Sequence, residues 1–365
     1  MTFSDYMDYL RGKRIGVIGF GVSNQPLVLV LLRNGCDVTV CDRRDRAQLG
    51  ATGDEAAAQG AKFILGADYL EHLDFDVIFR TPGVLPIVPQ LRKAAQSGAI
   101  LTSEMEAFCN LCPCRIIAIT GSDGKTTTST LVAWLNRGVT GGGSAFLGGI
   151  SKNFGGNLVL GAGARLAVEA DEFDRSFLRL YPDVAVITSA DADHLDIYGT
   201  HEAVKEAFSQ FVRQIRPGGF LIIKEGVDIV LDNPQITVYR YSYDVPCDFY
   251  ARNVQLLEGG HYRYDIVVPG GVVEGCTLGI PGWVNIENSV AAVASVWCAA
   301  RAEGVALDAD ALRGALASFS GVKRRFEFYV NTPRQVYMDD YAHHPRELAA
   351  TLTSVQKMFP GPVSY

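Results

Sequence analysis

The chain has 365 residues, a formal net charge of -7, and 48% hydrophobic against 20% charged residues. That length carries two or three domains with buried cores, and the acidic balance excludes an extended nucleic-acid groove, so any phosphate binding is local. No apolar run is long enough to cross a bilayer, residues 1–14 hold no signal-peptide core, and the eight cysteines lie scattered in apolar segments, as reduced thiols of a cytoplasmic protein do.

Residues 14–20 are a β-rich run that ends in Gly19-Phe-Gly21-Val22-Ser23-Asn24. A helical stretch over 26–34 and a second strand over 37–41, closed by Asp42 and Arg43, complete a βαβ unit with a Gly-x-Gly turn. Such a turn suits NAD or a nucleotide diphosphate equally. Gly19, Gly21, Val22 and Ser23 at the turn, with Asp42 and Arg43 at the second strand end, are its candidate substrate contacts. Asn24 stands where the third glycine of the fingerprint belongs, which predicts looser packing of helix on strand. Further strands are expected over 62–65, 76–80 and 100–102. Glu104 opens a helix, and Pro113 between Cys112 and Cys114 marks a domain boundary. Cys109, Cys112 and Cys114 form a cluster, but no second Cys/His pair at ligand spacing follows, which argues against zinc.

Residues 116–120 then run straight into Gly121-Ser122-Asp123-Gly124-Lys125-Thr126-Thr127, followed by helix-compatible sequence to Leu135. A buried strand, a glycine turn and a helix start aim backbone N–H groups and a partial positive charge at phosphate. Lys125 is placed to reach the outer phosphates of a nucleotide, and the Thr126 hydroxyl to meet Mg²⁺. Ile119 occupies the position of the pattern's first glycine. The glycine-rich stretch 138–149 reads as a turn, linker or loop.

A strand over 164–170 delivers Glu169-Ala-Asp171-Glu172-Phe-Asp174. Four carboxylates this close repel one another unless a cation is near, and beside a phosphate loop Mg²⁺ is the economical one. The strand over 184–188 ends in Asp191-Ala-Asp193-His194-Leu-Asp196, again placing ligand-capable groups at a strand's carboxyl end, where open α/β sheets build their sites. His194 suits a second metal ion or a phosphate. An amphipathic helix over 202–215 and a strand over 219–223 follow. Short alternating strands over 233–278 predict an antiparallel lobe. Asn285 and Asn288 share one face of a following helix, as caps or as contacts to a base edge. Arg325 opens a β-rich section, and a strand over 336–340 ends in Asp339-Asp340-Tyr-Ala-His343-His344-Pro345.

Taken together and in order, Thr120-Gly-Ser-Asp-Gly-Lys-Thr-Thr, Glu169, Asp193-His194-Leu-Asp196, Asn285-x-x-Asn288, Arg325-Phe326 and Asp340-Tyr-Ala-His-His-Pro resemble the Mur ligase family, the ATP-dependent amide-bond ligases of peptidoglycan precursor synthesis. The resemblance implies an α/β protein of three parts. Residues 1–113 are a Rossmann-like domain for a UDP-N-acetylmuramic acid-type nucleotide sugar. Residues 114–321 are a central ATP-binding P-loop domain with a mostly parallel sheet and a small antiparallel lobe. Residues 322–365 are the start of a C-terminal α/β domain for the amino acid, whose remainder is expected beyond Tyr365. It also implies ATP and Mg²⁺ as cofactors, a monomer or dimer, and no nucleic-acid or membrane partner. Lys125, Glu169 and His194 resemble the catalytic set, with Thr126, Glu169 and His194 as metal ligands. Gly121 to Thr127, Asn285, Asn288, Arg325 and Asp340 resemble the nucleotide contacts, and His344 a substrate contact.

The expected chemistry is phosphorylation of a substrate carboxylate, then attack by the amino acid's amine on the acyl phosphate. Which amino acid is less uniform. Residues 1–135 resemble members that add D-glutamate, and those from Leu147 onward resemble members that add L-alanine. The D-glutamate type resembles its relatives in carrying a carbamylated lysine downstream of Asp-His; here the neighbourhood is Ala207-Phe208-Ser209, and Lys205 lies a turn too early. The expectation is L-alanine addition to UDP-N-acetylmuramate. D-Glutamate addition to UDP-N-acetylmuramoyl-L-alanine, a non-catalytic nucleotide-binding module from a truncated or chimeric chain, and an NAD-dependent oxidoreductase are the alternatives.

Overall fold

The structure is a computed structural model that describes residues 2–359 apart from Val22, Ser23, Pro82, Pro86, Asp174, Pro333, His343 and His344. It divides into two compact units, Met1–Cys112 and Pro113–Tyr365.

In the first unit, α1 (Phe3–Leu10) leads into β1 (Arg14–Ile18), α2 (Asn24–Arg33), β2 (Asp37–Asp42), α3 (Gly50–Ala58), β3 (Lys62–Leu65), β4 (Val77–Arg80), α4 (Pro89–Gln96), β5 (Ile100–Thr102) and α5 (Glu104–Leu111). The five strands form a wholly parallel sheet in the order β3-β2-β1-β4-β5. Its central strands, β1 and β4, are buried nearly end to end, as strands covered on both faces must be. Ile18 stands in register with Cys41 on one side and Arg80 on the other, which lines up Gly19, Asp42 and Thr81 at the carboxyl ends. The predicted looseness at Asn24 is not found. Its buried side-chain amide donates to the carbonyls of Ile18 (3.1 Å) and Gly19 (2.8 Å), stitching the first turn of α2 to the strand end.

The second unit begins with β6 (Arg115–Thr120), α6 (Lys125–Val139), β7 (Ser144–Phe146), β8 (Leu158–Val159), β9 (Arg165–Glu169), β10 (Val184–Ile187), α7 (Leu195–Tyr198), α8 (His201–Arg213) and β11 (Phe220–Lys224). It continues with β12 (Thr237–Ser242), β13 (Phe249–Leu256), β14 (Tyr262–Val268), β15 (Gly271–Thr277), α9 (Val284–Ala302), α10 (Ala309–Ala317), the hairpin β16 (Glu327–Asn331) and β17 (Val336–Asp339), and α11 (Pro345–Met358). Ten strands make one sheet, β15-β14-β13-β12-β11-β10-β6-β9-β7-β8.

The expected antiparallel strands are present: β13, β14 and β15 pair antiparallel, and β12, parallel to both β11 and β13, joins them to the main sheet. One expectation changes: the stretch 138–149 is not all loop. The helix runs on to Val139, and Ser144–Phe146 is a buried strand parallel to β9. Its glycines hid this: a Cβ on Gly143 would come within 2.6 Å of the Arg165 carbonyl, so the chain crosses too closely for a side chain. The core lies between the sheet and α6, α9 and α10. Helix α9 is built largely of Ala, Val and Ser and is buried along most of its length, which lets α6 pack closely against it.

Candidate active site

Strand β6 lies between β10 and β9, and the loops leaving the carboxyl ends of all three meet. This is the switch point at which open α/β sheets place their ligands. The first loop, residues 121–124, turns through Gly121 at φ +130° and Gly124 at φ +74°, the residue that caps α6. Neither tolerates a side chain. A Cβ on Gly121 would lie 2.2 Å from Thr188 Oγ1, and one on Gly124 2.8 Å from Asn288 Oδ1. The loop is clamped from the β10 side. Thr188 Oγ1 donates to the carbonyl of Asp123 (2.5 Å), the Asp123 amide donates to Ser189 Oγ (3.1 Å), and the Asp191 amide to Ser122 Oγ (3.1 Å). The start of the fifteen-residue α6 therefore faces a loop held in one shape, with its uncapped amides available to an anion.

Lys125, at the first helical position, donates to the Gly121 carbonyl (2.7 Å) and to Glu172 Oε1 (2.8 Å). Burial opposes its charge, but Glu172, Asp171 and Glu169 outweigh burial and hold the ammonium above the ordinary lysine range. Burial pushes the Glu172 carboxyl up to about 7, with Asp171 adding to the rise and Lys125 opposing it. Glu169 ends β9. Its carboxylate accepts from Thr126 Oγ1 (3.0 Å) and from the Gly148 amide (2.9 Å), and burial raises its pKa against the pull of Lys125. Gly148 must be glycine, because a Cβ there would sit within 2.4 Å of the Glu169 carboxylate.

His194 caps α7 in the left-handed region at φ 55°. Its ring rests edge-on against Phe173, and Nε2 lies 3.5 Å from Asp193 and 3.9 Å from Glu172. Lys125, Thr126, Glu169, Asp171, His194 and Arg325 all line one cavity of about 520 Å³. Among the described residues no three His, Cys, Asp or Glu side chains are preassembled around a common point. The donors nevertheless suit a hard cation shared with a ligand: the Thr126 hydroxyl and the Glu169 carboxylate are in contact, and oxygen from a phosphate or water is what Mg²⁺ takes for its remaining positions. Lys205 is not part of this cavity. It pairs with Asp228 (2.7 Å) at a second one, and Ala207, Phe208 and Ser209 are buried.

The second cavity, about 600 Å³, lies on the other side of the loop, and Asp123, Gly124, Val322 and Arg325 line both. Its walls include Asn285, Asn288, Thr127, Tyr241, Trp283 and the Lys224–Glu287 ion pair (2.7 Å). Asn285 donates to the Pro281 carbonyl (2.6 Å) and accepts from Asn288 (3.2 Å), whose own oxygen accepts from Thr128 (3.3 Å) and backs Gly124. The pair does not cap α9; it ties that helix to the loop. Asp340 also faces this cavity, accepting from the amides of Phe326 and Ala342 (2.8 Å each), while Arg325 lies 5.6 Å over the Tyr341 ring.

In the N-terminal unit Gly19, Gly21, Asp42 and Arg43 stand at or beside the turn after β1, as expected. Asp42 is buried and already engaged. It accepts from the Phe20 amide (2.7 Å) and from Nε and Nη2 of Arg44, and these bonds hold its carboxyl down at about 2 despite burial. The arginine that meets Asp42 is Arg44; Arg43 is exposed. Val22, Ser23 and His344 lie outside the described residues.

Sequence reasoning missed Thr188, Ser189, Gly148 and the individual role of Glu172. The switch from Val184–Ile187 to Thr188-Ser189 at a strand end was a usable signal for the first two. Nothing local announces Gly148, whose partner is 21 positions away.

A sequence model of the Mur ligase middle domain matches residues 119–296. The chain is 45% identical to the UDP-N-acetylmuramate--L-alanine ligase of Parabacteroides distasonis, over 68% of its own length and 52% of that protein's. It is 36% identical to the ligase of the same name from Porphyromonas gingivalis strain W83, over 97% of its own length and 73% of that protein's. The chain thus spans about half the length of the first relative and nearly three quarters of the second. The second match includes the N-terminal segment that resembles D-glutamate-adding members, so one alanine-type relative aligns with nearly the whole chain. Among solved structures, the UDP-N-acetylmuramate-alanine ligase of Thermotoga maritima shares the fold at a TM-score of 0.68 and 22% identity, over 96% of this chain and 79% of that one. With 36% identity to a relative of which the chain covers 73%, and with a clamped glycine loop between two acidic strand ends, the chain belongs to the Mur ligase family.

Proposed function

We propose that this chain carries the nucleotide-binding and acyl-activating machinery of an ATP-dependent ligase that joins L-alanine to the carboxylate of UDP-N-acetylmuramate. The observation that carries the reading is the single cavity shared by Lys125, Thr126, Glu169 and His194 at the start of α6. The printed names of the relatives support the choice of amino acid and sugar. In this reading, residues 1–113 take the UDP-sugar, 114–321 take ATP, and 322–365 begin the part that takes the amino acid.

A carboxylate approaching a triphosphate meets repulsion, so the site must cancel charge where it accumulates. Lys125 and the loop amides hold the outer phosphates. His194 faces the transferred group across the same cavity. Thr126 and Glu169 are the residues that would hold Mg²⁺, which would supply charge neutralisation there. Asn285, Asn288 and the Tyr241 wall of the second cavity take the nucleoside end, and Arg325 and Asp340 close over it. The absence of a lysine at 207–209 accords with L-alanine rather than D-glutamate. ADP release measured with L-Ala, L-Ser, Gly and D-Glu, each against UDP-N-acetylmuramate and UDP-N-acetylmuramoyl-L-alanine, tests this directly. L-Alanine with the first acceptor is expected to give the largest stimulation. Stimulation by D-glutamate alone, with the second, overturns the reading.

A further inference from the structure

Among the described carboxylates of the acidic strand end Glu172 is the least exposed, and the mechanism above gives it no task. Its side chain is 2% exposed. Oε1 lies 2.8 Å from Lys125 Nζ and 3.9 Å from His194 Nε2, so one oxygen stands between two of the groups that would meet the phosphates. Oε2 is buried without a hydrogen-bond partner among the described residues. An orphaned carboxylate oxygen costs free energy, so burial alone does not account for it. The residue is itself fixed from behind, where its backbone carbonyl accepts from Tyr198 Oη (2.6 Å), and the guanidinium of Arg175 lies 4.7 Å over the Tyr198 ring.

An ammonium has three N–H donors. At Lys125 two of them are committed, one to the Gly121 carbonyl at 2.7 Å and one to Glu172 at 2.8 Å. The third is left for the cavity that Lys125 lines. We propose that Glu172 is a positioning residue: it holds the Lys125 ammonium in the one orientation that aims its remaining proton at the transferred phosphate, at the expense of nucleotide affinity. The second half follows from charge. A carboxylate beneath the loop repels an incoming triphosphate and competes with it for the lysine. The gain is geometric, because a flexible four-carbon stem otherwise leaves the ammonium free to follow whichever phosphate oxygen is nearest.

The inference rests on the ligase reading for its effect on turnover, but its effect on binding does not. Two variants separate charge from reach. Glu172→Gln keeps the length and an acceptor oxygen but removes the charge. ATP, titrated calorimetrically without acceptor, is expected to bind about three- to ten-fold tighter, while turnover stays within about three-fold of wild type, because an oxygen still reaches Lys125. Glu172→Asp keeps the charge but withdraws the oxygen by one methylene. Its ATP affinity is expected to stay within about two-fold of wild type while turnover falls about ten-fold or more. A merely structural Glu172 predicts something else: both variants losing affinity and turnover together with a lowered melting temperature. That result, or unchanged turnover in both, overturns the proposal. If the wild-type protein releases no ADP with any acceptor, the ligase reading fails separately. The calorimetric comparison then decides alone, tighter ATP in Glu172→Gln supporting the proposal and weaker or equal binding overturning it.

Discussion

The molecule contains two strand–glycine turn–helix units, and they treat their backbone amides in opposite ways. After β6, the turn at Gly121–Gly124 is braced from outside by the neutral hydroxyls of Thr188 and Ser189, and among the described residues no carboxylate caps the amides at the start of α6. After β1, the Phe20 amide is occupied by Asp42, and the neutralising arginine, Arg44, is bound to the same carboxylate. The local patterns are alike; what differs is the residue that the next strand places opposite the turn. A hydroxyl leaves room for an anion, whereas a carboxylate already supplies one.

The comparison breaks most sharply at Lys125. In Lys125→Ala, ATP-dependent phosphate release is expected to fall about 100- to 1,000-fold, with nucleotide-sugar binding unchanged; near-normal turnover ends the mechanism. Next is Gly124→Ala, which forces a side chain to φ +74° and towards Asn288. It is expected to cost about 1–3 kcal/mol, read as a lower melting temperature and a lower kcat/KM for ATP.

In the other turn, Asp42→Asn removes the internal anion. Because the folded pKa is held at about 2, below the ordinary value, the contribution of Asp42 is complete above about pH 4 and is lost as pH falls towards 2. At pH 7 the variant is expected to lose about 2 kcal/mol. Wild type and variant should converge under acid unfolding near pH 2, and ATP affinity should not move. The smallest effect belongs to Asn24→Ala, which gives up the two bonds to the end of β1 for about 1 kcal/mol. If that variant weakens ATP binding, the two turns are not independent.

The strands, helices and their order were legible because apolar periodicity carries them, and so was the glycine turn at the head of α6, whose residues are contiguous. What could not be read were relations across the sheet. Asn24 in a glycine's place suggested a gap, yet its amide fills that gap with hydrogen bonds. Arg44, next to the candidate Arg43, folds back on Asp42, and sequence does not say which of two neighbouring arginines does so. The strand at Ser144–Phe146 was masked by glycines whose purpose is close approach to β9. Glu172 stood in plain view among four carboxylates, but only the fold selects the one that lies against Lys125.

The continuation of β13, β14 and β15 from β12 has a consequence for the ligand. Gly121 leaves the end of β6, while Lys224 and Tyr241 stand on β11 and β12, two and three strands across the same hydrogen-bonded ladder. Neither cavity can drift relative to the other without tearing backbone pairs. The sheet therefore acts as a rigid spacer, fixing the separation of the two cavities whatever occupies them.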